Sequence, residues 1–138
     1  MIIRRLADIN GTDRDVRDNN WRSQRLLLAD DGMGFSFHIT TIEANSSIQL
    51  HYTNHLESVY CIHGTGTIKD LQTQAIHSIT PGTLYALNDH DNHCLTAITE
   101  LHLACVFNPP CTGKEVHDET GAYPAAATIQ TQQARCTN

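Results

Sequence analysis

No stretch of this chain is apolar for long enough to cross a bilayer: runs such as Leu26 to Ala29 span only a few residues, against the ~20 that a membrane helix needs. No membrane partner is expected. Basic residues are also scarce. Nine Lys and Arg stand against fifteen Asp and Glu, a net charge of −6, which would repel a phosphate backbone, so no nucleic acid partner is expected either. The opening Met1-Ile2-Ile3-Arg4-Arg5-Leu6 has no long apolar core after its charges. It does not read as a secretory signal, and a cytoplasmic protein is expected. Close cysteine pairs of the C-x-x-C kind are absent. Cys61, Cys94, Cys105, Cys111 and Cys136 are an odd number at wide spacings, which points to free thiols in a reducing compartment.

What is present is a chain of 138 residues, 40% of them hydrophobic, enough for one core and too short for two independent ones. Between Leu26 and Phe107 short strand-like runs alternate with turn residues, and no long helical period appears, which predicts an all-β domain. Phe35, Phe37 and Ile39 alternate with Ser36, His38 and Thr40, one apolar face and one polar. Glu57 to Ile62 is a second run, and after Gly64-Thr65-Gly66 the segment Thr67-Ile68-Lys69 is expected to return antiparallel to it. Thr73 to Ile79 gives a weaker strand signal. The turn dipeptide Pro81-Gly82 precedes Thr83 to Leu87, the polar loop Asn88 to Asn92 follows, and His93 begins the way back. Leu101 to Phe107 is the last strand, stopped by Pro109-Pro110. Asn10 to Asn20 reads as a loop or at most one helical turn. The polar residues 125–138 read as a tail outside the domain of residues 1–124.

His51, His55 and Glu57 occupy odd positions, so a strand there would project all three to one side, as a metal site requires. The plain alternative is an exposed polar face. The spacing of Glu57 from Gly64, together with Pro81-Gly82 and the later His93, matches the paired signatures of cupins, in which His and Glu side chains meet inside a jelly-roll barrel (a double-stranded β-helix). The match is partial. The second His of the usual H-x-H is Thr53 in this chain.

That departure is itself informative. From about Met1 to Pro124 the chain resembles the ectoine synthases. The likeness runs through Trp21, Arg25 to Leu28, Gly34 to His38, Asn54 to Cys61, Pro81 to Tyr85 and Val106 to Pro110. Its most specific block is Thr112-Gly113-Lys114-Glu115-Val116-His117-Asp118-Glu119. The resemblance implies an all-β cupin enzyme that cyclises N-γ-acetyl-L-2,4-diaminobutyrate to ectoine with loss of water. It implies that Glu57, Tyr85 and His93 are ligands to ferrous iron, with zinc as the other metal to consider. A mixed oxygen and nitrogen donor set with open positions suits such catalytic use. It further implies proton transfer by Glu115 and His117. Substrate positioning falls to Trp21, Ser23, Arg25, Thr40, Tyr52, His55, Cys105 and Phe107, with Arg25 gripping a carboxylate through its two-pronged guanidinium. A head-to-tail homodimer is the expected assembly. Two other readings share the same fold: a different metal-dependent cupin enzyme, such as a hydrolase or dioxygenase, and a cupin that binds a polar solute without turnover.

Overall fold

The structure, a computed structural model, describes residues 1–125. Ten strands follow in chain order: β1 (Asp15–Asp18), β2 (Trp21–Leu27), β3 (Ser36–Ile42), β4 (Ser46–Leu50), β5 (Leu56–His63), β6 (Gly66–Asp70), β7 (Ile76–Ile79), β8 (Leu84–Leu87), β9 (His93–Ala97) and β10 (Leu101–Asn108). They form a six-stranded sheet in the order β1-β2-β3-β10-β5-β8 and a four-stranded sheet in the order β4-β9-β6-β7. All pairings are antiparallel. From β3 onward the chain changes sheet at nearly every connection. It winds the two sheets around a common interior, and the expected all-β barrel is what results. Buried side chains of both sheets, among them Leu50, Ile68, Leu95 and Ala97 facing Val59, Leu101, Leu103 and Phe107, form one cluster.

The polar face of β3 is the one that points inward. Ser36 and His38 are fully buried, whereas Phe37 and Ile39 on the other face are only partly covered. Alternation tells two faces apart but does not say which one the barrel encloses. Here the enclosed face carries hydroxyl and imidazole groups, a first sign that the interior is built for more than packing.

Three local expectations are corrected. The segment from His51 to His55 is irregular, not strand, so odd spacing cannot align His51 with Glu57; His51 stays half-buried while Tyr52 turns inside. Thr67 to Lys69 does not return against the Glu57 to Ile62 strand. β5 and β6 lie in different sheets, and the chain crosses between them at Gly64-Thr65-Gly66. The glycines serve close approach: a Cβ at Gly64 would collide with the Glu100 carbonyl oxygen, and one at Gly66 with that of Thr96. Within Asn10 to Asn20 the chain forms β1, paired with β2 from Asp15↔Gln24 to Asp18↔Trp21, and the helical turn falls earlier, at Leu6–Ile9. Arg22 holds this edge by binding Asp15 through Nε and Nη2 at 2.8 and 2.9 Å. Those hydrogen bonds keep the Asp15 carboxyl down at about 2. Of the expected tail, only Ala125 lies among the described residues; 126–138 lie outside them.

Candidate active site

Register decides which side chains meet. Arg25 pairs with His38, His38 with Cys105, Cys105 with Val59, and Val59 with Tyr85, so one row of inward side chains runs across five strands. The neighbouring row is Ser36, Phe107, Glu57 and Leu87. Ser23 pairs with Thr40 on the other side. Of the residues expected in the site, Trp21, Thr40, Tyr52, Glu57, Tyr85, Cys105, Phe107 and His117 line a single interior cavity, joined by Ile42, Leu50 and Tyr123. Ser23, Arg25, His55 and Glu115 are buried but do not line it, and His93 shares a second opening with Tyr85.

Glu57 and Tyr85 come from adjacent strands and the same inner face, Glu57 one pair removed from the Val59↔Tyr85 pair. His93 begins β9 in the opposite sheet, 1% exposed and inward like Leu95 and Ala97. Its Nδ1 donates to the Asp91 carbonyl oxygen at 2.9 Å. Because a carbonyl can only accept, the proton sits on Nδ1 and Nε2 carries a lone pair. That Nε2 is buried with no partner. A backbone carbonyl fixing one ring nitrogen while the other faces inward bare is how metal-ligating histidines are commonly held. Burial pushes the Glu57 carboxyl up to about 8. Burial and the Glu57 carboxylate push Tyr85 well above the usual phenol range. Two acidic groups kept from ionising by a dry interior, with an unused imidazole lone pair on the opposite sheet, fit a bound cation, which would reverse both shifts. Among the described residues no group of three or more His, Cys, Asp and Glu side chains is gathered as a metal site. A set of one Glu, one Tyr and one His contains only two members of those types.

A second polar cluster lies behind the cavity wall. Arg25 is fully buried; its Nη2 donates to the Glu115 carbonyl oxygen and its Nε to Ser23 Oγ at 3.4 Å. The Glu115 carboxylate accepts from Thr112 N at 2.6 Å, Thr112 Oγ1 at 2.8 Å and Gly113 N at 2.9 Å, and lies 3.7 Å from Arg25 Nη1. Burial works to raise this carboxyl, but the hydrogen bonds from Thr112 and Gly113 prevail and hold it below the usual range. The two-pronged Arg25 grip expected from the sequence is not free: Nε and Nη2 are engaged, and only Nη1 is left without a hydrogen-bond partner. His38 Nε2 and His55 Nδ1 are likewise buried and unpartnered. Burial, then Arg25 and His55, hold His38 neutral.

His117 closes the cavity. Its Nε2 lies 2.7 Å from the Tyr52 hydroxyl, its ring stacks on Tyr123 at 4.5 Å and 3°, and Trp21 meets it edge-on at 5.1 Å. Burial and the Arg25 charge pull its pKa down to about 4, so the ring is neutral at physiological pH. The supporting turn is fastened to the barrel where His51 N donates to Gly121 O at 2.9 Å. Gly121 has φ +78, and a Cβ there would press on the backbone of Gln49 and Leu50. Tyr123 is a cavity-lining residue that the sequence reading missed. An aromatic between Gly121-Ala122 and Pro124, just past the most specific block, was the available signal.

A family model described as ectoine synthase matches residues 1–127. The chain is 59% identical over 125 residues to L-ectoine synthase of Sphingopyxis alaskensis, covering 91% of each protein. It is 58% identical over 132 residues to L-ectoine synthase of Hyphomonas neptunium, covering 94% of this chain and 98% of that one. Among solved structures, ectoine synthase from P. lautus superposes with a TM-score of 0.82 at 47% identity, over 88% of this chain and 87% of that one. A cupin 2 conserved barrel domain protein from Salinispora arenicola gives 0.64 at 19% identity, over 98% of each chain, a likeness of fold alone.

Proposed function

The chain belongs to the ectoine synthase family, and from that premise we propose that the barrel cavity is where N-γ-acetyl-L-2,4-diaminobutyrate closes to ectoine with loss of water. The observation that carries this reading is the bare, buried Nε2 of His93 in an interior that also holds Glu57 and Tyr85, with the neutral His117 imidazole on the same cavity wall as those two. We assign Glu57, Tyr85 and His93 to a ferrous ion, with zinc the competing occupant. When bound, the cation supplies Lewis-acid polarisation of the acyl oxygen.

The chain's own residues do the rest. The substrate's 2-amino nitrogen must meet the acetamide carbon within about 3–3.5 Å, and holding a folded substrate supplies much of the rate of an intramolecular attack. Trp21, Phe107 and Tyr123 form the apolar wall that favours the folded form and excludes water. Arg25 Nη1, without a hydrogen-bond partner and 3.7 Å from the Glu115 carboxylate behind the cavity wall, is assigned the role of attracting the substrate carboxylate from there. Thr40 and Cys105 line the cavity, and Ser23 and His55 are buried behind its wall as supports. The attacking nitrogen loses a proton and the departing oxygen gains one. His117 fits this relay: with a pKa near 4 it enters unprotonated, and a proton taken up is readily passed on to the leaving hydroxyl. Tyr52, hydrogen-bonded to His117 Nε2, sets the ring's angle. Glu115 is reassigned from proton carrier to anchor, because its carboxylate is already filled by three donors.

A head-to-tail homodimer is supported by the outer face of the six-stranded sheet, where Tyr60, Ile62 and Leu84 are exposed; a monomer in light scattering overturns it. We also read the protein as cytoplasmic, in keeping with the free thiols of Cys61, Cys94, Cys105 and Cys111. The deciding assay gives purified, iron-loaded protein the acetylated diamino acid and follows ectoine by NMR. Turnover is expected, with His117→Ala slower by about 10²-fold. No product at any metal loading overturns the assignment.

A further inference from the structure

The turn from Tyr52 to His55 carries two of the site's side chains yet belongs to no strand. What holds it is therefore a functional question. On one side Asn54 Nδ2 donates to the Tyr123 carbonyl oxygen at 2.9 Å. On the other, His90 Nδ1 lies 2.8 Å from the Tyr52 carbonyl oxygen and 3.1 Å from that of His55. Both partners are obligate acceptors, so the His90 proton sits on Nδ1 and is shared between them. His90 sits in the loop that ends at His93, and two residues before His93 the Asp91 carbonyl accepts from His93 Nδ1. The same short loop thus fixes the bare nitrogen of His93 and clamps the Tyr52 turn. His90 also has φ +53, a left-handed backbone that glycine or asparagine adopts with less strain. An imidazole kept there points to use of its side chain.

We propose that His90 is a positioning residue for the cyclisation. Its imidazole locks the Tyr52 to His55 turn onto the loop bearing His93, and so holds the Tyr52 hydroxyl against His117. This rests on the site reading above, in which His117 relays the proton and His93 binds the cation. Displacement of Tyr52 by a fraction of an ångström would leave the fold intact but turn the His117 ring away from the reacting atoms, and small misplacements of this kind weigh heavily on rate.

Three substitutions separate the side chain from the backbone. His90→Asn keeps an N–H at the position of Nδ1 and tolerates the left-handed backbone; His90→Gly suits that backbone but has no donor; His90→Ala has neither. With turnover normalised to folded, metal-loaded protein, His90→Ala and His90→Gly are expected to lose about tenfold in kcat with KM changed less, and His90→Asn to stay within about threefold of wild type. In a Tyr52→Phe background, His90→Ala should cost less than about twofold more, because the two act through one contact. The proposal is overturned if His90→Gly matches wild type, if the His90→Ala loss disappears once metal content and folded fraction are equalised, or if that loss is undiminished in the Tyr52→Phe background. Failure of the wild type itself to form ectoine would remove the site reading and this inference together, whereas those three outcomes in an active wild type remove only the role of His90.

Discussion

The barrel interior holds two buried polar corners that differ in whether the chain completes them. Around Arg25 and Glu115 nearly every charge has its answer within the protein: a carboxylate with three donors, a guanidinium bound to a carbonyl and a hydroxyl, and the two lying 3.7 Å apart. Among the described residues no ion pair reaches Glu57, Tyr85 or His93, and both acids are pushed towards their neutral forms by burial. A buried polar group without a partner costs stability. We propose that the acidic, lone-paired corner takes a ligand, while the completed corner holds the wall that carries His117.

The contrast predicts opposite responses to truncation. Glu57→Ala should give the largest functional loss, at least ~10³-fold in turnover with no retained metal. It should leave the thermal midpoint of the metal-free protein unchanged or raised, because the carboxyl removed was desolvated by burial with no cation to pair it. A metal-free Glu57→Ala protein that melts well below wild type would break the comparison at once. Glu115→Ala should do the reverse in the folded state, destabilising by about 3–5 kcal/mol, since the Arg25 charge would be left buried without its partner. Denaturant titration reads this directly, and a change below about 1 kcal/mol would mean that the corner is solvated in solution.

A smaller effect sharpens the same contrast through pH. The folded pKa of His117 is lowered, from the ordinary 6.5 to about 4. The stability tied to its neutral form is fully present above about 6.5 and is lost as pH falls towards 4. Glu57 in the metal-free protein is raised, from 4.5 to about 8. Its contribution is present below about 4.5 and is lost as pH rises through 8. Each is expected to amount to about 1–3 kcal/mol. His117→Gln should flatten the acid side of the stability profile and Glu57→Gln the alkaline side. Identical profiles for wild type and both variants would remove the electrostatic difference between the corners.

Much of the strand sequence from Leu56 to Phe107 was legible because alternation and turn residues act over a few positions. The inward placement of Glu57, Cys105 and Phe107 agrees with that reading. The His51, His55, Glu57 alignment failed because it assumed a strand where the chain turns, and Tyr52 gained the inner position instead. Gly64 and Gly66 looked like a hairpin because glycine signals freedom of backbone without saying whether a turn or a close neighbour requires it. Tyr123 and His90 escaped notice because their partners, His117 for one and the Tyr52 and His55 carbonyls for the other, are joined by tertiary packing and not by any short-range pattern.

The amino-acid order alone determined an all-β succession of strands and turns and an acidic balance, since pleat, turn chemistry and composition are local properties; the barrel, the family and the candidate cation and proton-relay residues followed from the resemblance of its motifs. Only the tertiary structure decided which face of β3 turns inward, that Arg25 is tied to a residue 90 positions away, and that one histidine nitrogen is fixed while the other is left bare. Those outcomes depend on which strands become neighbours, and strand neighbours are chosen by the packing of the whole interior at once.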